Sequence, residues 1–134
     1  MYLFELVEQV RGVIESLKTR FGDFRLAMLY NLDVDASLNW NLIVSAPWTD
    51  EMGTAGAIKM IASKLHEQLE SEKKEAISRI TVLKADDAFV QDMVHLYPVA
   101  GSGAPIAQLV AGGVTEGGGF VFYSQPLSVV ARKS

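Results

Sequence analysis

Acidic side chains at Asp33 and Asp35, followed by Ser37, are the first group in the chain whose types and spacing could do chemistry. Oxygen ligands at alternate positions begin a calcium loop, and paired carboxylates can hold magnesium. The calcium pattern stops there, because Leu38 stands where the loop needs glycine and Val44 where it needs a bidentate glutamate. Aspartates between two strands commonly form turns. We therefore predict a turn here, with neither a metal nor a cofactor.

Asp50 and His95 complete the set of candidate catalytic residues. Asp50 follows a strand-like run and lies in the first turn of a predicted helix, whereas His95 lies near the end of a later helix, one turn after Asp92. A histidine in that position suits the helix dipole, so a structural role is the simpler interpretation. If the fold brought His95 together with Asp33, Asp35 or Asp50, a small hydrolase would be the alternative function.

Glycines are concentrated between residues 101 and 119, but they match no phosphate-binding motif. Ile106 occupies the position of the third glycine in a dinucleotide fingerprint, and the segment follows a predicted helix rather than a strand. No Gly-Lys-Ser/Thr sequence occurs, which excludes a P-loop. Residues 116–119 suit a flexible flap or a plain hairpin connection. Nucleotide binding is therefore the least favoured of the candidate functions.

Composition excludes several further classes of protein. The chain has 134 residues, no cysteine and a net charge of −4, so it offers no disulfide framework, thiolate nucleophile or cysteine zinc site. Lysines and arginines are scattered, unlike the basic surface of a nucleic-acid-binding protein. No segment approaches the ~20 apolar residues of a membrane-spanning helix. These features predict one cytoplasmic domain over residues 1–134, with no nucleic-acid or membrane partner.

The periodicity of apolar residues predicts the elements that position these side chains. A 3.6-residue period over residues 3–21 predicts an amphipathic helix, which Gly22 ends. Alternation over residues 24–32 and 38–46 predicts an antiparallel hairpin. A second helix follows Trp48, with Ile58, Ala62 and Leu65 on its apolar face and Lys73 facing outward. Residues 78–84 form a third strand that pairs parallel to the second through this helical crossover.

The last third of the chain is less regular. Asp86 or Asp87 caps a third helix, which ends before Pro98. Strands are expected at 106–111 and 120–124, and residues 127–131 form an edge strand or a tail. The whole pattern predicts an α+β fold in a single domain, with a mixed four- to five-stranded sheet packed against helices.

Residues 40–48, with the sequence WNLIVSAPW, connect the second strand to the second helix. Pro47 ends the strand because it has no N–H for the sheet ladder. This run and the following helix resemble small bacterial proteins of unknown function, some of which are carried on integron cassettes. The resemblance extends from the hairpin through the third strand. It implies no activity and assigns no site residue.

Apolar content suggests how the protein works. Hydrophobic residues make up 49% of the chain, or roughly 54% on the scale where average domains show ~45–50%. This surplus predicts a covered apolar surface, with Trp48, Phe120, Phe122 and Tyr123 as candidate interface residues. We expect the contact on the sheet face that α1 and the second helix leave open, or at an exposed edge near residues 120–123. We therefore expect a non-enzymatic binding or interaction protein that forms a homodimer or a higher homo-oligomer. A small-molecule ligand is compatible with this prediction, but the sequence identifies neither ligand nor partner.

Overall fold

Five helices and five strands make up the parts of the chain that the computed structural model describes, residues 2–31, 40–106 and 118–126. In chain order they are α1 (Tyr2–Phe21), β1 (Leu26–Asn31), β2 (Trp40–Ser45), α2 (Pro47–Met52), α3 (Thr54–Gln68), α4 (Ser71–Ala76), β3 (Ile77–Val82), α5 (Ala88–Leu96), β4 (Val99–Ile106) and β5 (Gly118–Ser124). This arrangement confirms the predicted α+β fold with a mixed sheet.

The strands form one sheet in the order β3-β2-β1-β5-β4. Strand β1 pairs antiparallel with β2, and β2 pairs parallel with β3. Both pairings confirm the predictions from the short polar turn and the helical crossover. Strand β5 lies between β1 and β4 and is antiparallel to both. The two edges of the described sheet are therefore β3 and β4.

The single helix predicted after Trp48 is three helices. Pro47 begins α2, where the Thr49 hydroxyl accepts a hydrogen bond from Ala46 N (3.0 Å) and donates one to Ala46 O (2.9 Å). Gly53 then takes a φ of +92°, which a side chain would disfavour, and α3 starts in a new direction. Leu69 is extended and buried between α3 and α4. The apolar period continues across both breaks, which explains why the sequence predicted one helix.

Helices cover both faces of the sheet. On one face α1 and α3 pack against alternate residues of the central strands, including Ala27, Leu29, Leu42, Val44 and Phe122. On the other face α5 contributes Val90 and Met93 to a second cluster with Leu26, Met28, Tyr30, Ile43 and Val121. The sequence predicted that this second face, or an exposed edge at residues 120–123, was free for a second copy. That edge prediction is wrong, because β5 is an interior strand.

The strand predicted at 106–111 lies earlier in the chain, as β4 at Val99–Ile106. Its partner β5 begins at Gly118, two residues before the predicted start. Gly119 allows β5 to approach β1 closely, since a Cβ there would lie 1.8 Å from the carbonyl oxygen of Leu29. Residues 107–117 and the predicted element at 127–131 lie outside the described residues. None of the described helices is long and apolar enough to cross a membrane.

Candidate functional site

The described part of the chain does not bring the candidate catalytic residues Asp50 and His95 together. Asp33 and Asp35 lie outside the described residues. Asp50 lies in the first turn of α2 and pairs with Arg25, the residue before β1, whereas His95 is exposed near the end of α5. No hydrogen bond or ion pair joins Asp50 to His95 in the described part of the chain. Within the same ranges, no group of three or more His, Asp or Glu side chains is placed to hold a metal ion.

The acid that follows the strand-ending Pro47 is Asp50, and it forms an ion pair with Arg25. The side chain of Arg25 is 3% exposed, and its guanidinium donates to Ser45 Oγ at 2.6 Å and to Asp50 Oδ2 at 3.3 Å. These bonds connect β1, the end of β2 and α2. A buried guanidinium needs such partners, because an unpaired charge in the interior is strongly destabilising. Asp50 therefore has a structural role in the described fold.

The four candidate interface residues pack inside the chain. The ring of Trp48 stacks on Phe21, with centroids 4.8 Å apart, and Trp48 is 6% exposed. Phe122 is 1% exposed, while Phe120 is half-buried beside it, with ring centroids 5.1 Å apart. The fourth, Tyr123, is 6% exposed. Packing within one chain accounts for these residues, so they leave little apolar surface for a second copy.

Tyr123 also has a polar partner, since its hydroxyl donates to a carboxylate oxygen of Glu15 on α1. Burial, followed by the hydrogen bond and the negative charge of Glu15, raises the pKa of Tyr123 to about 12. The phenol therefore remains protonated at neutral pH and fixes β5 to α1. This interaction is structural rather than catalytic.

A groove lies beside β3 in the described part of the chain, and we call it the edge groove. It has a volume of about 310 Å³ and lies between α3, α4 and β3. This volume is at the lower end of the ~300–1,000 Å³ found for ligand pockets. Five of the lining residues are apolar, three from α3 and two from β3: Ile58, Ala62, Leu65, Ile77 and Ile80. An apolar group of a ligand would therefore be desolvated there.

Three of the residues that line the edge groove have basic side chains. His66 comes from α3, Lys74 from α4 and Arg79 from β3, while Ser78 adds a hydroxyl. Lys74 Nζ lies 3.5 Å from His66 Nδ1. In the described part of the chain, neither Lys74 nor Arg79 forms an ion pair with a carboxylate. In a chain with a net charge of −4, this makes the groove a local basic site.

One side of β3 has no strand partner in the described sheet. Its other side pairs with β2, and the N–H of Leu83 donates to Val44 O at 2.9 Å. Backbone groups alternate between the two sides of a strand, so the N–H and C=O groups of Ile80 and Val82 point away from β2. The register shifts at the start of β3, where Ser78 is the extra residue. Among the described residues, backbone groups without a strand partner therefore lie next to the edge groove.

Sequence reasoning did not identify this groove. The period of α3 marked Ile58, Ala62 and Leu65 as core residues, although Ala62 is exposed. Lys74 and Arg79 belong to no motif. The available signal was the absence of a predicted strand to pair with the far side of β3, but strand order is not encoded in a local pattern. No protein-family model, curated protein or solved structure matches this chain.

Proposed function

We propose that the protein is a non-enzymatic binding protein and that the edge groove holds its ligand. The observation that carries this proposal is the combination of an apolar wall with a rim that carries the cations Lys74 and Arg79 beside His66, with no acid among the described lining residues. A ligand that matches both properties carries an apolar group and a negatively charged group. Burial of the apolar part supplies affinity, and the fixed charges orient the ligand.

Binding explains the described residues better than hydrolysis does. A hydrolase needs a nucleophile or activated water, a base and a group that stabilises developing charge, all close together. Asp50 is instead committed to Arg25 at 3.3 Å, and His95 lies on a different helix without contact to it. The hydrolase alternative would need Asp33 or Asp35, which lie outside the described residues.

Self-association stays a separate prediction, as do the cytoplasmic location and the bacterial origin. The apolar surplus first suggested an oligomer, but Trp48, Phe122 and Tyr123 are buried in one chain. Light scattering at tens of micromolar tests this prediction directly. A homogeneous monomer would contradict it, whereas the edge groove would remain available in either state.

Titration with two apolar anions tests the groove. The fluorescent probe 8-anilinonaphthalene-1-sulfonate should bind the wild type at one saturable site, and octanoate should compete for it. Ala62→Trp places an indole in the groove and should weaken binding at least tenfold, which corresponds to ~1.4 kcal/mol. Lys74→Glu should weaken it similarly, because it replaces attraction with repulsion.

Two matched variants control for general effects of these substitutions. Ala55 and Lys59 are exposed on α3 but do not line the groove. Ala55→Trp and Lys59→Glu should therefore leave probe affinity within about twofold of wild type. Near-UV circular dichroism would confirm that each variant keeps its tertiary packing. Equal affinity for all five proteins would show that the edge groove is not the binding site.

A further inference from the structure

We propose that the occupant of the edge groove is an extended peptide that adds to β3 as an antiparallel strand and ends in a carboxylate. This inference rests on the proposed function and names the chemical class of the ligand. It combines three observations: unpaired backbone groups on β3, an apolar groove beside them, and basic side chains at the start of the strand.

Backbone geometry favours a strand over a compact ligand. Ile80 and Val82 each present an N–H and a C=O on the free side of β3. A peptide lying there could form up to four backbone hydrogen bonds, each worth ~0.5–1.5 kcal/mol in net stability. Alternate side chains of such a peptide point to one side of the sheet. Those on the α3 side would lie against Ile58 and Leu65 in the groove.

Charge selects the direction of the added strand. Lys74 lies in α4, three residues before β3 begins, and Arg79 is the third residue of β3. The C-terminus of an antiparallel peptide would lie at this end, whereas a parallel peptide would place its positively charged amino terminus there. The extra residue at Ser78 interrupts regular pairing at the same place, so the peptide backbone would end near the basic groups. Capture of a terminal carboxylate follows from this arrangement.

A second copy of the chain fits the edge less well. Strand β3 has the sequence ISRITV, with one arginine and no acid. Two copies paired through this strand would bring two positively charged strands together and would offer Lys74 no carboxylate from the strand itself. Like charges across a strand pair are destabilising. An acidic peptide terminus supplies the missing opposite charge.

Selection from a random peptide library tests the inference without a known ligand. Heptapeptides displayed with a free C-terminal carboxylate would be selected on the wild-type protein, with the Ala62→Trp variant used for counter-selection. The recovered sequences should show apolar residues at alternate positions. The best peptide, made as a free acid, should bind at least tenfold more tightly than its C-terminal amide. Lys74→Glu should remove this preference, and Lys59→Glu should preserve it.

Two further measurements report the added strand itself. Peptide binding should slow hydrogen exchange of the Ile80 and Val82 amides at least tenfold, because these groups become hydrogen-bonded. N-methylation of the peptide at a residue that faces β3 should weaken binding, while methylation of its neighbour should have less effect. Exchange protection confined to α3 would overturn the strand model.

The remaining outcomes separate this inference from the proposed function. If octanoate binds in the groove but the library yields nothing beyond the Ala62→Trp background, the peptide inference is wrong and the binding function stands. If neither probe binds, both are wrong. A concentration-dependent dimer that Ala62→Trp dissociates would identify a second copy as the occupant and would also overturn the peptide inference.

Discussion

Lys73 and Lys74 follow one another in α4, but their surroundings differ completely. Lys73 is buried, and its Nζ lies 3.3 Å from Glu5, 3.5 Å from Glu70 and 3.9 Å from Glu72. The sequence predicted that Lys73 would face outward on a longer second helix, which is wrong because α4 turns it toward α1. The ion pair between Lys73 and Glu5 connects α1 to α4, the last helix of the crossover between β2 and β3.

Lys74 faces the edge groove on the other side of the same helix. Its nearest polar partner is the His66 ring, 3.5 Å away, and no carboxylate pairs with it in the described part of the chain. The difference shows how the fold divides its positive charges. Those with carboxylate partners, Lys73 and Arg25, connect elements of the fold. Those on the groove keep their charge available for a ligand.

The largest effect should come from the most buried paired cation. Arg25→Leu removes the partner of Asp50 and of Ser45, and we expect it to lower the free energy of unfolding by about 3 kcal/mol. Ser45→Ala removes one hydrogen bond and should cost about 1 kcal/mol. Urea unfolding at pH 7 measures both values. Equal losses in the two variants would argue that the ion pair with Asp50 contributes little.

Alkaline pH should remove the hydrogen bond that the Tyr123 hydroxyl donates to Glu15. The pKa of Tyr123 is about 12 in the fold and 10.0 as its ordinary value. The folded state therefore holds the phenolic proton more tightly, so this contribution is present below pH 10 and is lost as pH rises toward 12. Between pH 9 and 11 the wild type should lose roughly 1 kcal/mol more stability than Tyr123→Phe. Parallel pH curves for the two proteins would contradict this prediction.

Lys73→Met should have a smaller effect than Arg25→Leu. The carboxylates around Lys73 are 61–82% exposed, so water already solvates them when the lysine is removed. Burial alone lowers the pKa of Lys73, but Glu5 and Glu70 outweigh burial and raise it above 10.5. The contribution is therefore present below pH 10.5 and lost as pH rises through the raised pKa. In 1 M NaCl the difference between Lys73→Met and wild type should shrink.

Lys74→Met should have the smallest effect on unfolding and a clear effect on binding. The substitution keeps the apolar stem and removes a charge that has no carboxylate partner in the described chain. We expect unchanged urea unfolding, together with weaker binding of octanoate. Lys59→Met is the matched control, since Lys59 is exposed on α3 and does not line the groove. A large loss of stability in Lys74→Met would mean that Lys74 is structural, like Lys73.

Local patterns predicted the parts of the fold that depend on local physics. The period of α1, the antiparallel hairpin and the crossover to β3 all agree with the structure, and Asp87 caps α5 by accepting a hydrogen bond from Phe89 N at 2.8 Å. The breaks at Gly53 and Leu69 were missed, because the apolar period continues through them. These breaks decide that Lys73 is buried and that Lys74 faces the groove.

The candidate site depends on longer-range choices. Strand β3 is an edge of the described sheet because β5 and β4 both lie on the other side of β1, in the order β3-β2-β1-β5-β4. No spacing of residues within β3 reports that order. Catalytic motifs in the sequence point to acidic residues, whereas the groove consists of ordinary aliphatic residues and two cations. Neither cation has a carboxylate partner among the described residues. Such a site becomes visible only when the strand order is known.

The single-sided attachment of β3 has a consequence for local unfolding. Among the described strands, β3 is hydrogen-bonded only to β2, and the whole α2–α4 crossover separates the two in the chain. Its amides should therefore exchange through partial opening well before those of β1, which is bonded on both sides. Any molecule that binds the closed form would suppress this opening in proportion to its concentration and affinity. Ligand binding would then appear as slower hydrogen exchange throughout β3, while the exchange of the other strands changes little.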